Sequence, residues 1–393
     1  MPSKDIVVLA TGQALTGTVT SLLTSVSSLS GAYLAPAPSL STLPVTATVL
    51  GTLLMIYPAS SLMGRLGRRG GFMVKAGIGV IGGVVCCLGL VTANFAVLIV
   101  GTFLLGIFSA FGQYYRFAAI DAARSPAERT SAVAIVTGGG VVGGVAGPFL
   151  GSRFADVLAA MPYAGAFAAL AVVCVCLAAS QFLLSADLGR DARSTEATAA
   201  LPGFSLNAAF MKASAVCAIG FAVMTLTMNA APLSLHQCGF SLAASSMVLQ
   251  VHFALMYLPS FVNPALVSVV GLRGLITAGA AAGAAGCLLT ALVEQTLGVY
   301  VLELGLSGMA WNFIFNGGTL LLAGTYPASG KTRAQGLNSL VVYSANLVAS
   351  FAAGALMASY GWQLVNLACL PLLVVAALAL WPRRAAEVAL PSG

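Results

Sequence analysis

Gly64-Arg65-Leu66-Gly67-Arg68-Arg69-Gly70 places three arginines and three glycines between two apolar runs, 39–62 and 72–92. Each flank has about the 20 residues that one helix needs to cross a hydrocarbon core about 30 Å thick. A short basic turn between two such runs reads as a helical hairpin whose ends meet at one membrane surface. The rest of the chain repeats this pattern. Its 393 residues include 17 Lys and Arg and 10 Asp and Glu, so only 7% are charged, against roughly a quarter in a globular chain. Hydrophobic residues make up 59% and mean hydropathy is +0.99. So few charges cannot cover a water-soluble surface, which excludes soluble enzymes, nucleic-acid binders and secreted scaffolds. The net charge of +7 points to no anionic partner, because excess Lys and Arg in a membrane protein sets orientation. The eight cysteines lie mostly inside apolar runs, where a thiol packs as a small hydrophobe and no disulfide framework is implied.

Working outward, the uncharged stretch 6–35 exceeds the core of a signal peptide and reads as a retained first span. Further runs at 95–119, 131–152, 162–184, 209–232, 242–268, 274–293, 296–322, 334–358 and 363–381 bring the expected number of transmembrane helices to twelve. With both termini in the cytoplasm, 15 of the 17 basic residues fall inside or at the inner interface, Lys4, Arg65, Lys75, Arg273 and Arg384 among them, and only Arg153 falls outside. That distribution predicts a multi-pass protein with both ends cytoplasmic.

The polar stretch Ser185 to Asn207 divides the chain into an expected amino-terminal six-helix bundle (1–184), a cytoplasmic linker (185–208) and a carboxy-terminal six-helix bundle (209–393). The halves echo each other. Arg68-Arg69-Gly70 before span three recurs as Arg273-Gly274 before span nine, and Glu128-Arg129-Thr130 before span five as Thr332-Arg333 before span eleven. An all-α membrane protein of two pseudo-symmetric six-helix bundles is therefore expected. The basic turn resembles the loop motif of the major facilitator superfamily, with Gly64 where that family usually carries Asp. The resemblance implies gating or coupling roles for Arg65, Arg68 and Arg69. Gly143 and Gly147 in span five resemble the glycine-rich span of facilitator antiporters; their spacing equally suits close helix packing.

Span seven carries Met224-Thr225-Leu226-Thr227-Met228 and span eight His252-Phe253-Ala254-Leu255-Met256. Four residues advance a helix by about 400°, so each pair shares one face. Three thioethers and an imidazole suit Cu(I) and not the oxygen-seeking Mg²⁺ or Ca²⁺. The two pairs coincide by accident on the order of 2% of the time. Methionine alone is a common gap-filler, whereas an imidazole in mid-membrane is costly unless it has a purpose. Met-xxx-Met with His-xxx-Met looks like the signature of the CcoA-like transporters, facilitator-type copper importers serving bacterial cbb3-type cytochrome c oxidase. The segments Gln113-Tyr114-Tyr115-Arg116-Phe117, Trp311-Asn312-Phe313-Ile314-Phe315-Asn316 and Gln335-Gly336-Leu337-Asn338 extend the similarity over both halves. The resemblance implies Met224, Met228, His252 and Met256 as metal ligands. It also implies a copper importer of the bacterial cytoplasmic membrane that works by alternating access, with a cytoplasmic copper acceptor as partner.

His236 and Cys238 in the loop after span seven form a candidate capture point for copper, and Cys217 below Met224 a candidate next station. Glu303 in span ten is a candidate coupling carboxylate, and Arg116 and Asp121 read as gate or anchor residues. No enzyme chemistry, prosthetic group or phosphate loop is expected, and the chain is expected to act as a monomer. The rival readings are a transporter of riboflavin or another small organic solute, a drug exporter, and a copper-holding membrane protein that transports nothing. An organic solute would rely on Trp311, Tyr257, Asn312 and Asn316.

Overall fold

In the computed structural model, the described residues are 3–379 apart from 124, 159–160, 187, 189–206 and 328–329, and no β-strand occurs among them. The helices are α1 (Lys4–Leu34), α2 (Leu43–Val91), α3 (Phe95–Gly112), α4 (Tyr115–Ala122), α5 (Pro126–Phe154), α6 (Ala164–Phe182), α7 (Ala208–Gln237), α8 (Leu242–Tyr257), α9 (Asn263–Leu292), α10 (Leu297–Ala323) and α11 (Lys331–Leu378). Short polar residues start them: the side chains of Ser3, Asn94, Ser125, Asn207, Ser241 and Thr296 each accept a backbone N–H of the first turn.

Ten segments among the described residues are long and apolar enough to cross a membrane. Two of them are too long for one crossing. The 49 residues of α2 and the 48 of α11 would each extend about 70 Å at 1.5 Å per residue, more than twice the hydrocarbon core. Each breaks at a glycine in the left-handed region, Gly67 (φ 75°) and Gly361 (φ 75°). The reversal at Gly67 can be read from the neighbours. Thr48 and Thr52 donate to the carbonyls of Thr102 and Gly106, so the first arm of α2 runs parallel to α3. Gly82 lies against Leu105 and Gly89 against Leu98, so the second arm runs antiparallel to it. Counting both arms of α2 and of α11 yields twelve crossings. Gly271 (φ 69°) repeats the break inside α9, and Gly67-Arg68-Arg69-Gly70 and Gly271-Leu272-Arg273-Gly274 are thus the same turn in the two halves. Span eight comprises α8, the 3-10 turn Leu258–Phe261 and the first residues of α9.

Each half has its own apolar core, one built around Val19, Leu22, Phe108 and Phe167, the other around Val223, Tyr300, Leu304 and Val365. Most of the expected linker, with Arg190 and Arg193, lies outside the described residues, as do Arg124, Arg383 and Arg384. Glycines set the closest approaches. A Cβ on Gly143 would stand 2.6 Å from the Gly17 Cα, and Ser21 Oγ donates to the Gly143 carbonyl at 2.8 Å, so the glycine face of span five is a packing face against α1. Its neighbour Gly144 receives Phe253 from the other half.

The hydrogen bonds that join the halves among the described residues cluster away from the amino-terminal side of the membrane. Thr42 donates to the Ser350 carbonyl (2.9 Å) and accepts from the Gly354 N–H (3.1 Å), Thr46 pairs with Ser350, and Gln250 donates to the Val145 carbonyl (2.9 Å). The fold is therefore closed on the side opposite Lys4. One basic residue requires a correction: Lys75, expected among the charges at the inner interface, is 0% exposed in the second arm of α2. Its side chain turns into the bundle because Thr16, Phe108 and Tyr115 receive it there.

Candidate functional site

The Met224–Met228 segment is pegged in rotation by its own hydroxyls. Thr225 hydrogen-bonds Asn346 of α11, and Thr227 pairs with Ser307 of α10 at 2.9 Å. With those two positions committed, Met224 and Met228 share the remaining face of α7. Met224 (3% exposed) and Met256 (7%) pack with Leu249, Phe253 and Trp311 in one cluster that Met228 also joins. Three thioethers from two spans thus come together in one apolar compartment. His252, on the same face of α8 one turn from Met256, is 0% exposed. Its Nδ1 lies 2.8 Å from the Leu304 carbonyl, and its Nε2 has no partner among the described residues. A buried ring nitrogen without a partner costs about 1–3 kcal/mol, so such an atom calls for a use. The approach of α8 to α10 depends on Gly308, where a Cβ would stand 2.5 Å from the His252 carbonyl oxygen.

Aromatic rings line the same compartment. Trp311 and Phe315 stack with centroids 4.9 Å apart, and Phe221 presents its edge to both, at 5.7 and 5.4 Å. The role of Phe221 was not legible in the sequence, since a lone Phe in an apolar span carries no periodic signal. The Trp311 indole N–H is buried without a partner among the described residues. Asn312 is committed to structure: it donates to the Met256 carbonyl and Ser260 and accepts from Asn263, each at 2.7 Å. It thereby ties down the carbonyl that the break at Leu258–Phe261 releases from helical bonding. Asn316 reaches Ser260 at 3.4 Å.

The other sequence candidates lie outside this cluster, Cys217 adjoining it through Phe221 and Phe315. Cys217 is buried between α7 and α10, 3.9 Å from the Phe315 carbonyl and Thr319, among Ala218 and Val342 rather than the methionines. Cys238 is exposed and faces Gln295 (3.4 Å) and Tyr300 (3.5 Å). His236 instead lines a surface notch with Asp156 and Tyr163, so the two residues of the expected capture point face different neighbours. Glu303 is 0% exposed and neither carboxylate oxygen has a partner among the described residues. Its backbone packs on Gly286 of α9 and its carboxyl lies toward Cys287, whereas the carbonyl of the adjacent Leu304 meets His252. In the basic turn, Arg68 bonds Asp121 at 2.8 Å and Arg69 lies 4.5 Å over the Phe182 ring. Both side chains are held within the amino-terminal half. Arg65 is exposed.

Comparison with known proteins agrees with this architecture. Residues 9–317 match the family model described as Major Facilitator Superfamily. The riboflavin transporter RfnT of Brucella anthropi is 31% identical over 374 residues, 95% of this chain and 94% of that one. The uncharacterised MFS-type transporter YddS of Bacillus subtilis is 25% identical, with 86% of this chain and 80% of that one covered. Among solved structures, a mutant of the nucleoside transporter NupG superposes with a TM-score of 0.75 at 15% identity, covering 95% of this chain and 98% of that one. A bacterial homologue of the lysosomal transporter Spinster gives 0.72 at 14% identity, with 95% of each chain covered. Twelve crossings in two halves, closed against each other on one side of the membrane, and a family match over most of the length lead to one conclusion: the chain belongs to the major facilitator superfamily.

Proposed function

We propose that this transporter imports copper across the bacterial cytoplasmic membrane, with Met224, Met228, His252 and Met256 as the relay. The observation that carries this reading is the packing of Met224, Met256 and the half-buried Met228 in one cluster, with His252 one helical turn from Met256 and its Nε2 without a partner among the described residues. Thioethers bind Cu(I) without deprotonation and leave its charge uncompensated, a combination that holds a soft cation and still releases it. The resemblance to the CcoA-like transporters supports the same substrate, and with it a supply of copper to cbb3-type oxidase assembly. Lys4 and the Gly67–Gly70 turn lie at one membrane surface, which supports cytoplasmic termini by the positive-inside rule. In that orientation the state described here is closed toward the outside, and a cytoplasmic acceptor would receive the metal.

A second reading, riboflavin or a similar planar solute, is favoured by the 31% identity to RfnT and by the stacked Trp311–Phe315 pair with Phe221 on its edge. Copper and riboflavin accumulation, measured side by side in cells lacking their own importers, separates the two. Copper uptake that disappears on Met224→Leu with Met228→Leu supports the relay. Unchanged copper with riboflavin entering, and that entry abolished by Trp311→Leu, overturns it.

A further inference from the structure

Lys75 has no place in either cargo reading. Its ammonium is wholly buried, hydrogen-bonds only the Thr16 hydroxyl among the described residues, and lies over the rings of Phe108 (4.5 Å) and Tyr115 (4.6 Å). The titratable groups facing it are Tyr115 from α4 and Cys174 from α6. α1 contributes Thr16 and α3 contributes Phe108, and among the described residues no carboxylate faces it. An ammonium met only by a hydroxyl and two ring faces is an uncompensated charge inside the membrane, which marks a functional group by default.

A polar file leads from this amine to the amino-terminal side of the membrane. Val8, Gly12 and Thr16 follow one another at intervals of four along one face of α1, a rise of about 12 Å. Gln181, one residue from the end of α6, donates to the Val8 carbonyl at 3.2 Å. Where a Cβ on Gly12 would stand, Gln181 Nε2 is 2.3 Å and Tyr115 Oη 2.7 Å away, so the missing side chain is what lets these two groups converge. Tyr115 Oη stands beside Thr16, whose hydroxyl accepts from Lys75 and donates to the Gly12 carbonyl at 2.7 Å. Tyr115 Oη and Gln181 Oε1 are both buried and lack a hydrogen-bond partner among the described residues, two orphans in line between a buried amine and the surface. At the surface end, Asp5 accepts the Ser185 N–H at 3.0 Å.

We propose that Lys75 is the proton-binding site that couples this transporter to the proton gradient, exchanging with the amino-terminal side through Thr16, Tyr115 and Gln181. One proton moves per cycle. An Nζ–H bond breaks as the Thr16 hydroxyl takes that proton, turns its own from the Gly12 carbonyl to which it donates at 2.7 Å and releases it to Tyr115 Oη, which releases its own to water hydrogen-bonded to Gln181. The neutral amine takes a proton back after the halves exchange sides. The inference rests on the chain being a transporter, not on which cargo it carries.

A first measurement therefore needs no cargo: ¹⁵Nζ-lysine NMR of the full chain in lipid bilayers, with Lys75 assigned by its absence in Lys75→Met. The Lys75 signal is expected to move between its ammonium and amine positions as buffer pH changes, while the other three lysines stay ammonium. A signal that never moves overturns the proposal whatever the cargo. In liposomes containing a pH dye and challenged with ascorbate-reduced copper or with riboflavin, the wild type is expected to move protons along with the probe that enters. Lys75→Met should keep exchange of that probe at equal concentrations and lose both concentrative uptake and the pH change. Tyr115→Phe, which keeps the ring on Phe72 and removes only Oη, should slow proton movement without loss of exchange. Concentrative uptake with normal proton movement in Lys75→Met, or normal proton movement in Tyr115→Phe beside a Lys75→Met that has lost exchange, assigns Lys75 to structure and overturns the coupling role.

Discussion

Replacing Gly308 by Ala adds one methyl group at the contact that brings α8 onto α10. Its Cβ would stand 2.5 Å from the His252 carbonyl oxygen and 3.2 Å from the Met256 nitrogen. Carbon and carbonyl oxygen normally meet at about 3.3 Å, so α8 must retreat by roughly 0.8 Å. Both atoms are backbone, so no rotamer change relieves the clash. A retreat of that size stretches the 2.8 Å contact between His252 Nδ1 and the Leu304 carbonyl to about 3.6 Å, beyond hydrogen-bonding distance. Overpacking costs about 1–3 kcal/mol, and the lost bond about 1 kcal/mol more. His252 is then released from its orientation, and loss of such an orienting contact costs a metal site about 10–100-fold. The assay pairs a thermal inactivation half-life of the purified protein with copper accumulation in cells. Gly308→Ala should shorten the half-life and reduce uptake at least about tenfold. Gly336→Ala, with nothing within 4 Å of its Cβ position, is the control and should be neutral or slightly stabilising. Wild-type stability and uptake in Gly308→Ala would refute the close approach of α8 and α10 on which the site argument depends.

Other substitutions test other parts of the molecule. Gly67→Ala forces a Cβ onto a left-handed residue at the hairpin and should cost about 1–2 kcal/mol, read as reduced yield of inserted protein; Gly271→Ala should match it if the two turns are equivalent. Arg68→Gln should change stability by less than about 1 kcal/mol, because the pair with Asp121 is partly exposed, while shifting the balance between inward- and outward-open states, measured by accessibility of introduced cysteines; the charge-swapped Arg68→Asp with Asp121→Arg should restore it. Glu303→Gln keeps the shape of a fully buried side chain and is expected to fold and to leave the pH dependence of uptake unchanged, since the single coupling proton is assigned to Lys75; a loss of that pH dependence would return coupling to Glu303. Asn312→Leu strips three hydrogen bonds from the break in span eight and should destabilise the protein by about 2–4 kcal/mol, with loss of uptake of either cargo.

The crossings were legible because lipid imposes them segment by segment. An α-helix satisfies its own backbone, so apolar length alone announces a span and a glycine with arginines announces a turn. The expected boundaries 72–92 and 274–293 match the second arms of α2 and α9 for that reason. The helical spacing of Met224 with Met228 and of His252 with Met256 was equally local. Depth and facing were not. Lys75 counted as a surface charge because a basic residue eight positions past a turn gives no sign of which way its side chain points. His236 and Cys238 lie two residues apart yet face different neighbours across the helix end.

What the sequence alone determined is the set of crossings, their hairpin pairing and the repeat of the basic turn. The tertiary structure decided which faces meet: the three methionines with Trp311 and Phe221, the orphaned Nε2 of His252, and the burial of Lys75 against Thr16. The physical reason is that lipid is as apolar as a protein core. A soluble helix advertises its inner face by an amphipathic stripe, but a span apolar all round carries none. Its orientation is set instead by close contacts at glycines and by hydrogen bonds between helices, and those exist only once the bundle has assembled.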